Sequence, residues 1–311
     1  ILELRVYPLT LKNNLTINGN SIFRTNGLNV NLGGNLVNTN TNATAGLNVG
    51  GYQPGTSTQV TTFNGLGLQN ISGVGANLTN FANLTINALG TVLLNPNSNI
   101  KINTNLSLNT GILDDGGNSI SLVGNVKNNA THASSIAGGG LYFEGSQPQV
   151  ISGSGAGVFG NVVLNNTTGI NMVDNSVITG ELTFDYGSLY IDDYLLTLGA
   201  GASIGGTPNA TKMIILNGVI SDAGVKKIYP SGPSTFTYPI GVAGKYTPAT
   251  YNLTANTNSN GYITVKPVNY AHPALANPIG DELKYYWNVI SGGFSIAPTI
   301  SHTYNYLGSD V

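Results

Sequence analysis

The chain has 311 residues, enough for one large domain or two of ordinary size, and its composition departs from that of an average soluble protein. Charged residues make up 8% of the chain, against about 25% in typical domains, while 42 residues are glycine and 43 are asparagine. The whole stretch between Arg24 and Lys101 includes no Asp, Glu, Lys or Arg. Eleven Lys and Arg spread along such a chain cannot form the basic stripe that nucleic-acid binding requires, which excludes that class of partner.

The sequence also excludes a membrane-spanning helix and any chemistry based on cysteine. Its longest apolar run covers residues 213–216, whereas a helix needs about 20 apolar residues to cross a bilayer. There is no cysteine for disulfides or for nucleophilic catalysis. A hydrophobic content of 41% with a net charge of −2 is not the composition of a disordered chain, so we expect it to fold.

From the first residues onward, short segments alternate between aliphatic and small polar residues. Leu15-Thr-Ile17, Leu84-Thr-Ile86 and Leu106-Ser-Leu108 are examples, and each predicts a strand of three to five residues with one buried face. The clusters of Asn, Asp and Gly between them are typical of turns. No stretch of the sequence shows sustained apolar residues at the three- and four-residue spacing of a helix, so we expect few helices and an all-β fold.

A degenerate repeat fills residues 1 to about 208 as three copies of a unit of about 80 residues. In the second and third copies, large apolar positions recur at a constant separation of 76 residues, which we call the repeat shift. It pairs Leu106 with Leu182, Leu108 with Phe184, Leu113 with Leu189 and Leu122 with Leu198.

Strands of this length can pack either as a parallel β-helix, also called a solenoid, or as a sandwich of hairpins. We favour the solenoid over residues 1–208, because each predicted coil would have one aliphatic stripe facing inward and Gly and Asn at its corners. Stacked asparagines would pair their side-chain amides between coils. With roughly 20 to 25 residues per coil, the segment gives about nine coils. The sandwich remains the alternative.

The composition changes near residue 210. Residues 229–311 contain ten of the sixteen Tyr, eight of the thirteen Pro and the only Trp. Longer alternating segments, such as residues 262–268 and 299–306, with proline at their margins, predict an antiparallel β-sandwich-like domain. We expect a junction over residues 209–228. The last residues lack a natural stop signal, so we expect this domain to be truncated and the chain to be part of a longer polypeptide or assembly.

Several of these segments resemble a known family. The runs Phe81-Ala-Asn-Leu-Thr-Ile-Asn and Asn105-Leu-Ser-Leu-Asn-Thr-Gly resemble the repeat of very large secreted surface proteins of Bacteroidetes-type bacteria. Phe236-Thr-Tyr-Pro-Ile-Gly, Leu283-Lys-Tyr-Tyr-Trp and His302-Thr-Tyr-Asn-Tyr are similar to the module that commonly follows those repeats. The resemblance implies export by the type IX secretion route, an extracellular location at the bacterial cell surface, and action as an adhesin or surface-layer component.

On this basis we expect a non-enzymatic structural or adhesive segment that provides reach, rigidity and attachment, with surface glycans or other cell-surface proteins as partners. The alternative is a polysaccharide-active enzyme, because parallel solenoids host lyases and hydrolases that act through clustered carboxylates. The candidate carboxylates are Asp114, Asp115, Asp192 and Asp193. Both pairs occupy one turn of the repeat, so turn formation explains them. Calcium binding is the other interpretation, because adjacent carboxylates offer hard oxygen ligands.

The sequence predicts no catalytic residue and no cofactor other than calcium. A Ser-His-Asp set would need His132, His272 or His302, and none of these lies in a recognisable motif.

One further group of residues suggests a carbohydrate-binding module. Tyr285, Tyr286 and Trp287 could form a platform for sugar stacking, since aromatic faces pack on the apolar faces of sugar rings. Alternation along the predicted strand would bury one or two of the three side chains, so core packing is the competing interpretation.

Overall fold

The computed structural model describes residues 1–41, 46–73, 79–275 and 282–311. Within these ranges the protein is almost entirely β-structure, and the predicted fold class is confirmed: a parallel β-solenoid is followed by antiparallel strands. Residues 42–45 and 74–78 of the predicted solenoid, and residues 276–281 of the predicted terminal domain, lie outside the described ranges.

The strands are numbered in chain order. Those of the coils are β1 (Leu2–Glu3), β2 (Leu9–Leu11), β3 (Leu15–Ile17), β4 (Phe23–Arg24), β5 (Val30–Leu32), β6 (Leu36–Asn38), β7 (Tyr52–Gln53), β8 (Val60–Phe63), β9 (Gln69–Ser72), β10 (Thr79–Phe81), β11 (Asn83–Leu94), β12 (Ile100–Ile102), β13 (Leu106–Asp114), β14 (Ser119–Leu122), β15 (Val126–Asn128), β16 (Thr131–Ala133), β17 (Gly140–Phe143), β18 (Gln149–Gly153), β19 (Val158–Phe159), β20 (Val162–Asn165), β21 (Ile170–Met172), β22 (Ser176–Ile178), β23 (Glu181–Tyr186), β24 (Leu189–Tyr190), β25 (Leu195–Leu198), β26 (Ser203–Gly206), β27 (Ile214–Leu216) and β28 (Gly224–Ile228). They are followed by β29 (Ser234–Tyr238), β30 (Ile240–Val242), β31 (Lys245–Tyr246), β32 (Ala249–Ala255), β33 (Tyr262–Val268), β34 (Tyr286–Gly292), β35 (Thr299–Tyr304) and a 3₁₀ turn, Gly308–Asp310.

Each coil contributes one strand to each of three parallel sheets, and there are about ten coils. Sheet 1 contains β1, β4 and β7, and then β10, β12, β14, β17, β20, β23 and β26. Sheet 2 runs from β2 through β5, β8, the first parts of β11 and β13, β15, β18, β21, β24 and β27 to β30. Sheet 3 runs from β3 through β6, β9, the last parts of β11 and β13, β16, β19, β22 and β25 to β28.

Aliphatic columns fill the interior of the stem. On sheet 1, Ile100, Ile120, Leu141, Val162 and Leu182 stand directly above one another, each one coil further along the chain. All five are buried, whereas the residues that follow them in their strands, such as Lys101, Ser121 and Thr183, lie on the outer face and are partly exposed. A column shared by successive coils buries apolar surface that no single coil could bury alone, and this is what holds a solenoid together.

Asparagines at the corners connect successive coils. The side-chain oxygen of Asn83 accepts a hydrogen bond from the backbone N–H of Asn105 (3.2 Å), and that of Asn105 accepts one from Asn125 N–H (3.0 Å). The same bond joins Asn14 to Asn35 and Asn161 to Glu181. The asparagine content predicts amide-to-amide pairing between stacked side chains. In the structure, the partner at these corners is the backbone of the next coil.

The sequence repeat is not in phase with the coils. Leu113 lies on sheet 3, but its equivalent Leu189 lies on sheet 2; Leu122 lies on sheet 1, and its equivalent Leu198 on sheet 3. The reason is that the repeat shift is not a whole number of coils. On sheet 2, Met172 stands three coils above Leu106. Leu182, which the repeat shift pairs with Leu106, comes later in the chain than Met172 and lies on the sheet 1 strand β23. Equivalent residues of the repeat therefore occupy different faces of the stem.

Parallel pairing also continues past residue 208. β27 and β28 extend sheets 2 and 3, and β30 pairs in parallel with β27, so residues 209–228 form most of the last coil where a junction was expected. The expected boundary followed the change in Tyr and Pro content, whereas coil pairing depends on backbone register.

Two antiparallel sheets cover the end of the stem. β28 pairs with β33 and β33 with β34, so sheet 3 passes directly into the first of them. The second sheet has the order β29–β32–β35. The two sheets share a core of aromatic and aliphatic side chains, and the hydroxyl of Tyr238 donates to the carbonyl of Ile263 across it (2.8 Å). In the described ranges, no helix has the length and apolar character needed to cross a membrane.

Candidate functional site

The first acidic pair, Asp114 and Asp115, lies at the corner where β13 ends. Asp115 is fully buried: its Oδ1 accepts the N–H of Gly117 (2.9 Å) and its Oδ2 accepts the hydroxyl of Ser134 (2.5 Å). Asp114 is half-buried, and its Oδ1 accepts the N–H groups of Gly116 and Ser135. Both carboxylates therefore stabilise turn backbone and the contact between two coils.

His132 completes this cluster from the coil above. It lies directly over Leu113 in sheet 3, it is fully buried, and its Nε2 is 3.2 Å from Asp115 Oδ2 without hydrogen-bond geometry. Ser134 donates to the aspartate and not to the histidine, so the order of contacts differs from that of a Ser-His-Asp triad. Asp115 and His132 are both fully buried, which keeps a polymeric substrate away from their side chains. The cluster is a polar contact between two coils.

The second acidic pair lies at a different corner. Asp192 and Asp193 stand in the turn between β24 on sheet 2 and β25 on sheet 3, and Asp192 has a positive φ of 44°. Asp193 Oδ1 accepts the side-chain amide of Asn217 (3.0 Å). The sequence repeat predicts that both pairs occupy the same turn, but in the structure the two turns lie at different corners of the coil. The structure therefore does not bring the four carboxylates together.

The three C-terminal aromatic residues fall into two groups: Tyr285 and Trp287 are in edge-to-face contact, with ring centroids 5.2 Å apart, and Tyr286 is separate from them. Tyr285 is fully buried, and its hydroxyl is hydrogen-bonded to Thr247. Trp287 donates its indole N–H to the carbonyl of Thr247 (3.0 Å) and packs on Tyr304, with ring centroids 4.9 Å apart.

Tyr286 instead packs against Tyr270 and His272, with centroid distances of 5.9 and 4.8 Å. The structure thus distributes Tyr285, Tyr286 and Trp287 among core and side contacts rather than on one flat face.

The outer surface of sheet 1 forms a groove that no pattern in the sequence indicated. This sheet 1 groove, about 380 Å³ in volume, is bordered by Tyr142 on β17, Asn161 beside β20, and Glu181, Thr183 and Asp185 on β23. Glu181 Oε1 accepts the hydroxyl of Thr183 (2.7 Å). A ring beside polar and acidic groups is the kind of surface on which sugar rings pack.

A second cavity, about 460 Å³, lies at the end of the stem between β26 and β29; we call it the terminal cavity. Lys227 forms part of its wall. The Lys227 ammonium donates to the carbonyls of Gly199 (2.5 Å), Ala200 (3.1 Å) and Ala202 (2.7 Å). Burial lowers the pKa of Lys227 to about 8, because a charged amine loses hydration there.

Coil register brings together residues that are far apart in the sequence. Tyr142 and Thr183 are two coils apart, and Asp115 and Ser134 are one coil apart. The length of a coil, once recognised, identifies such neighbours. The sequence did not indicate that Lys227 is buried, because alternation predicts an apolar residue, not a charged one, at an inward position.

The described residues contain no group of three or more His, Cys, Asp or Glu placed to hold a metal ion. Comparison of the chain with protein-family models, curated proteins and solved structures gives no match.

Proposed function

We propose that this chain is a non-enzymatic spacer and attachment segment of a large protein at the bacterial cell surface. Its task is to hold the terminal antiparallel sheets at a distance from an anchor and to present the outer faces of the stem for contact. The extracellular location and the type IX export route come from the resemblance of the repeat, and they are part of this proposal.

The observation that carries the proposal is the continuity of sheet 3. It runs in parallel from β3 to β28 and then, without interruption, into the antiparallel strands β33 and β34. A flexible linker normally separates independent domains. Here one hydrogen-bonded sheet joins the stem to the terminal sheets, so a displacement at one end is transmitted along the ladder.

The positions of the acidic residues favour a non-enzymatic role. Glu181 and Asp185 border the same groove but are separated along β23 by Thr183, whose hydroxyl donates to Glu181 Oε1, so Glu181 already has a hydrogen-bond partner within the protein. Asp115 and His132 are in contact, but both are fully buried.

A second function, glycan contact, is favoured by the sheet 1 groove. Tyr142 offers a ring face, and Glu181 and Asp185 offer hydrogen-bond acceptors on a surface with few charges. We expect weak, reversible binding of neutral oligosaccharides. Replacement of Tyr142 by Ala should abolish binding on a glycan array, whereas Tyr190→Ala, on sheet 2, should leave it unchanged. Equal binding by both variants would contradict this site.

The spacer function is tested by single-molecule pulling with handles at the two ends of the chain. We expect the stem to resist force and then to yield in steps of one coil, which release roughly 65 to 70 Å of chain each. Extension without a force threshold, as for an unstructured linker, would contradict the proposal. Release of reducing or unsaturated sugars from a glycan panel by the purified chain would instead favour the polysaccharide-active alternative.

A further inference from the structure

Sheet 1 is open at the end of the stem, although sheets 2 and 3 are not. β30 pairs with β27, and β28 pairs with β25. Within each coil, the chain forms the sheet 1 strand first and the sheet 2 strand next. β29 directly precedes the sheet 2 strand β30, so its position in the chain is that of the next sheet 1 strand. Nevertheless, among the strands of the described ranges, β26 pairs only with β23, and β29 only with β32. Both are therefore edge strands.

The terminal cavity lies between these two edges. Its walls include Ser203 and Ile204 from β26 and residues 234–237 from β29. The two edges thus face one common space. An exposed edge offers a row of N–H and C=O groups that can pair with a further strand.

The direction of the free groups on β26 follows from one hydrogen bond. The N–H of Ser203 donates to the carbonyl of Gly180 and therefore points back toward β23. Successive residues of a parallel strand direct their backbone groups to opposite edges, so the N–H and C=O of Ile204 point toward the cavity.

On the other wall, the hydroxyl of Ser234 is buried and has no hydrogen-bond partner among the described residues. A buried polar group without a partner is destabilising, so an occupant that supplies its hydrogen bond would be favoured.

The remaining lining indicates what kind of occupant fits. Lys227 is the only charged residue among the described residues that line the cavity, and its ammonium already donates to three carbonyls. Phe236, Pro230, Pro239 and Tyr246 supply apolar surface. An uncharged molecule with alternating donors and acceptors at strand spacing matches these walls, and an extended peptide has that pattern.

We propose that an extended, uncharged segment of another protein, four or five residues long, inserts between β26 and β29 as an additional strand. It would make sheet 1 continuous with the antiparallel sheet, in the order β23, β26, inserted strand, β29, β32. This interaction surface is independent of the glycan contact proposed for the sheet 1 groove, because the cavity and the groove are lined by different residues.

The test uses a fluorescent, terminally blocked pentapeptide, Asn-Val-Thr-Val-Asn, a sequence that this chain does not contain, and a control peptide in which Pro replaces its Thr. Proline cannot donate a backbone hydrogen bond in the inserted strand. Fluorescence anisotropy should show saturable binding of the first peptide and at least about tenfold weaker binding of the second. Hydrogen exchange should slow in residues 203–206 and 234–238 only.

Two variants of the full chain locate the site. Thr235→Trp places a large side chain in the cavity wall and should weaken binding about tenfold or more. Thr254→Trp, also exposed, on the neighbouring strand β32 and outside the cavity lining, should bind like the parent chain. Ile204→Pro removes an outward N–H from the other edge and should also weaken binding, which keeps the test decisive if Thr235→Trp does not fold.

Three results would overturn the proposal. The first is absence of saturable binding at millimolar peptide, and the second is equal binding of the two peptides. The third is self-association of the parent chain that Thr235→Trp abolishes, since the occupant would then be a second copy. Failure of any of these tests leaves the spacer function untouched, because that function rests on sheet 3 and is measured by pulling.

Discussion

Lys227 stands directly above Leu198 in the register of sheet 3, so an ammonium group occupies a place that an aliphatic side chain fills in the coil below. Its three carbonyl partners belong to the corner that follows Leu198, at Gly199, Ala200 and Ala202. An inward charge cannot form part of a continuing aliphatic column. Lys227 therefore marks the position where the stem ends and where sheet 3 changes to antiparallel pairing with β33.

We expect the stability of the protein to rise between about pH 8 and pH 10. In that range the folded protein releases the proton of Lys227, whose pKa burial lowers to about 8, whereas the unfolded chain keeps it. The unfolded state then binds more protons, so the free energy of unfolding increases with pH. Below pH 8, Lys227 is protonated in both the folded and the unfolded state, so the folded protein bears the full cost of burying its charge. The midpoint of urea denaturation measures the effect.

Two variants isolate this effect. Lys227→Met should remove the rise, and Lys226→Met, at the neighbouring outward position, should retain it. Above pH 10 the stability of all three proteins should fall, because burial raises the pKa of Tyr52, Tyr229 and Tyr285, and these tyrosines ionise first in the unfolded chain. A rise that persists in Lys227→Met would show that another group is responsible.

The inner column can be tested within one strand. Leu84 and Leu89 both lie on β11, but Leu84 is fully buried and Leu89 is 74% exposed. Leu84→Ala should lower the free energy of unfolding by about 2 to 5 kcal/mol through lost burial and a cavity. Leu89→Ala should change it by less than about 0.5 kcal/mol. Chemical denaturation followed by circular dichroism compares them, and similar losses would mean that the coils do not share a core.

The corner at β13 allows a matched comparison of two adjacent carboxylates. Asp115→Ala leaves the Ser134 hydroxyl and the Gly117 N–H without their acceptor inside the protein, and we expect a loss of about 2 to 5 kcal/mol. Asp114→Ala removes an acceptor that is half-exposed, so water can replace it, and the loss should be about 1 kcal/mol or less. Thermal denaturation ranks the two; the reverse order would contradict the assigned contacts.

Calcium provides a direct test of the metal interpretation of the acidic pairs. Asp115 already uses both oxygens within the protein, and Asp192 and Asp193 lie at another corner of the coil. We therefore expect the melting temperature to be the same with millimolar calcium and with a chelator. A rise with calcium that is lost in Asp192→Asn together with Asp193→Asn would establish a site at that turn.

Local pattern was sufficient to predict much of this fold. Alternation over three residues predicted that Leu84, Ile86, Leu106 and Leu108 face inward, and all four are fully buried. The period of two is a property of each strand alone, so it needs no knowledge of neighbouring coils. The all-β fold class and the parallel solenoid were predicted from that pattern together with the turn residues.

The parts that were missed depend on the phase between coils. The repeat shift suggested that Asp114 and Asp192 share a corner, whereas only a whole number of coils preserves the face. The sheet 1 groove was missed for the same reason, since Tyr142 and Glu181 come together only through the register of β17, β20 and β23. The phase between coils depends on the sum of all the corner lengths, and alternation within the strands does not specify those lengths.

The corner asparagines show how coils are held in that phase. Asn105 takes part twice: its N–H donates to the side chain of Asn83, and its own side-chain oxygen accepts the N–H of Asn125. Asn105→Ala removes the second bond and should cost about 1 kcal/mol. Asn105→Asp keeps an acceptor oxygen at the same place and should retain most of the stability. If urea denaturation instead finds the two variants equally destabilised, the oxygen is not what connects these coils, and the aliphatic columns alone must set their register.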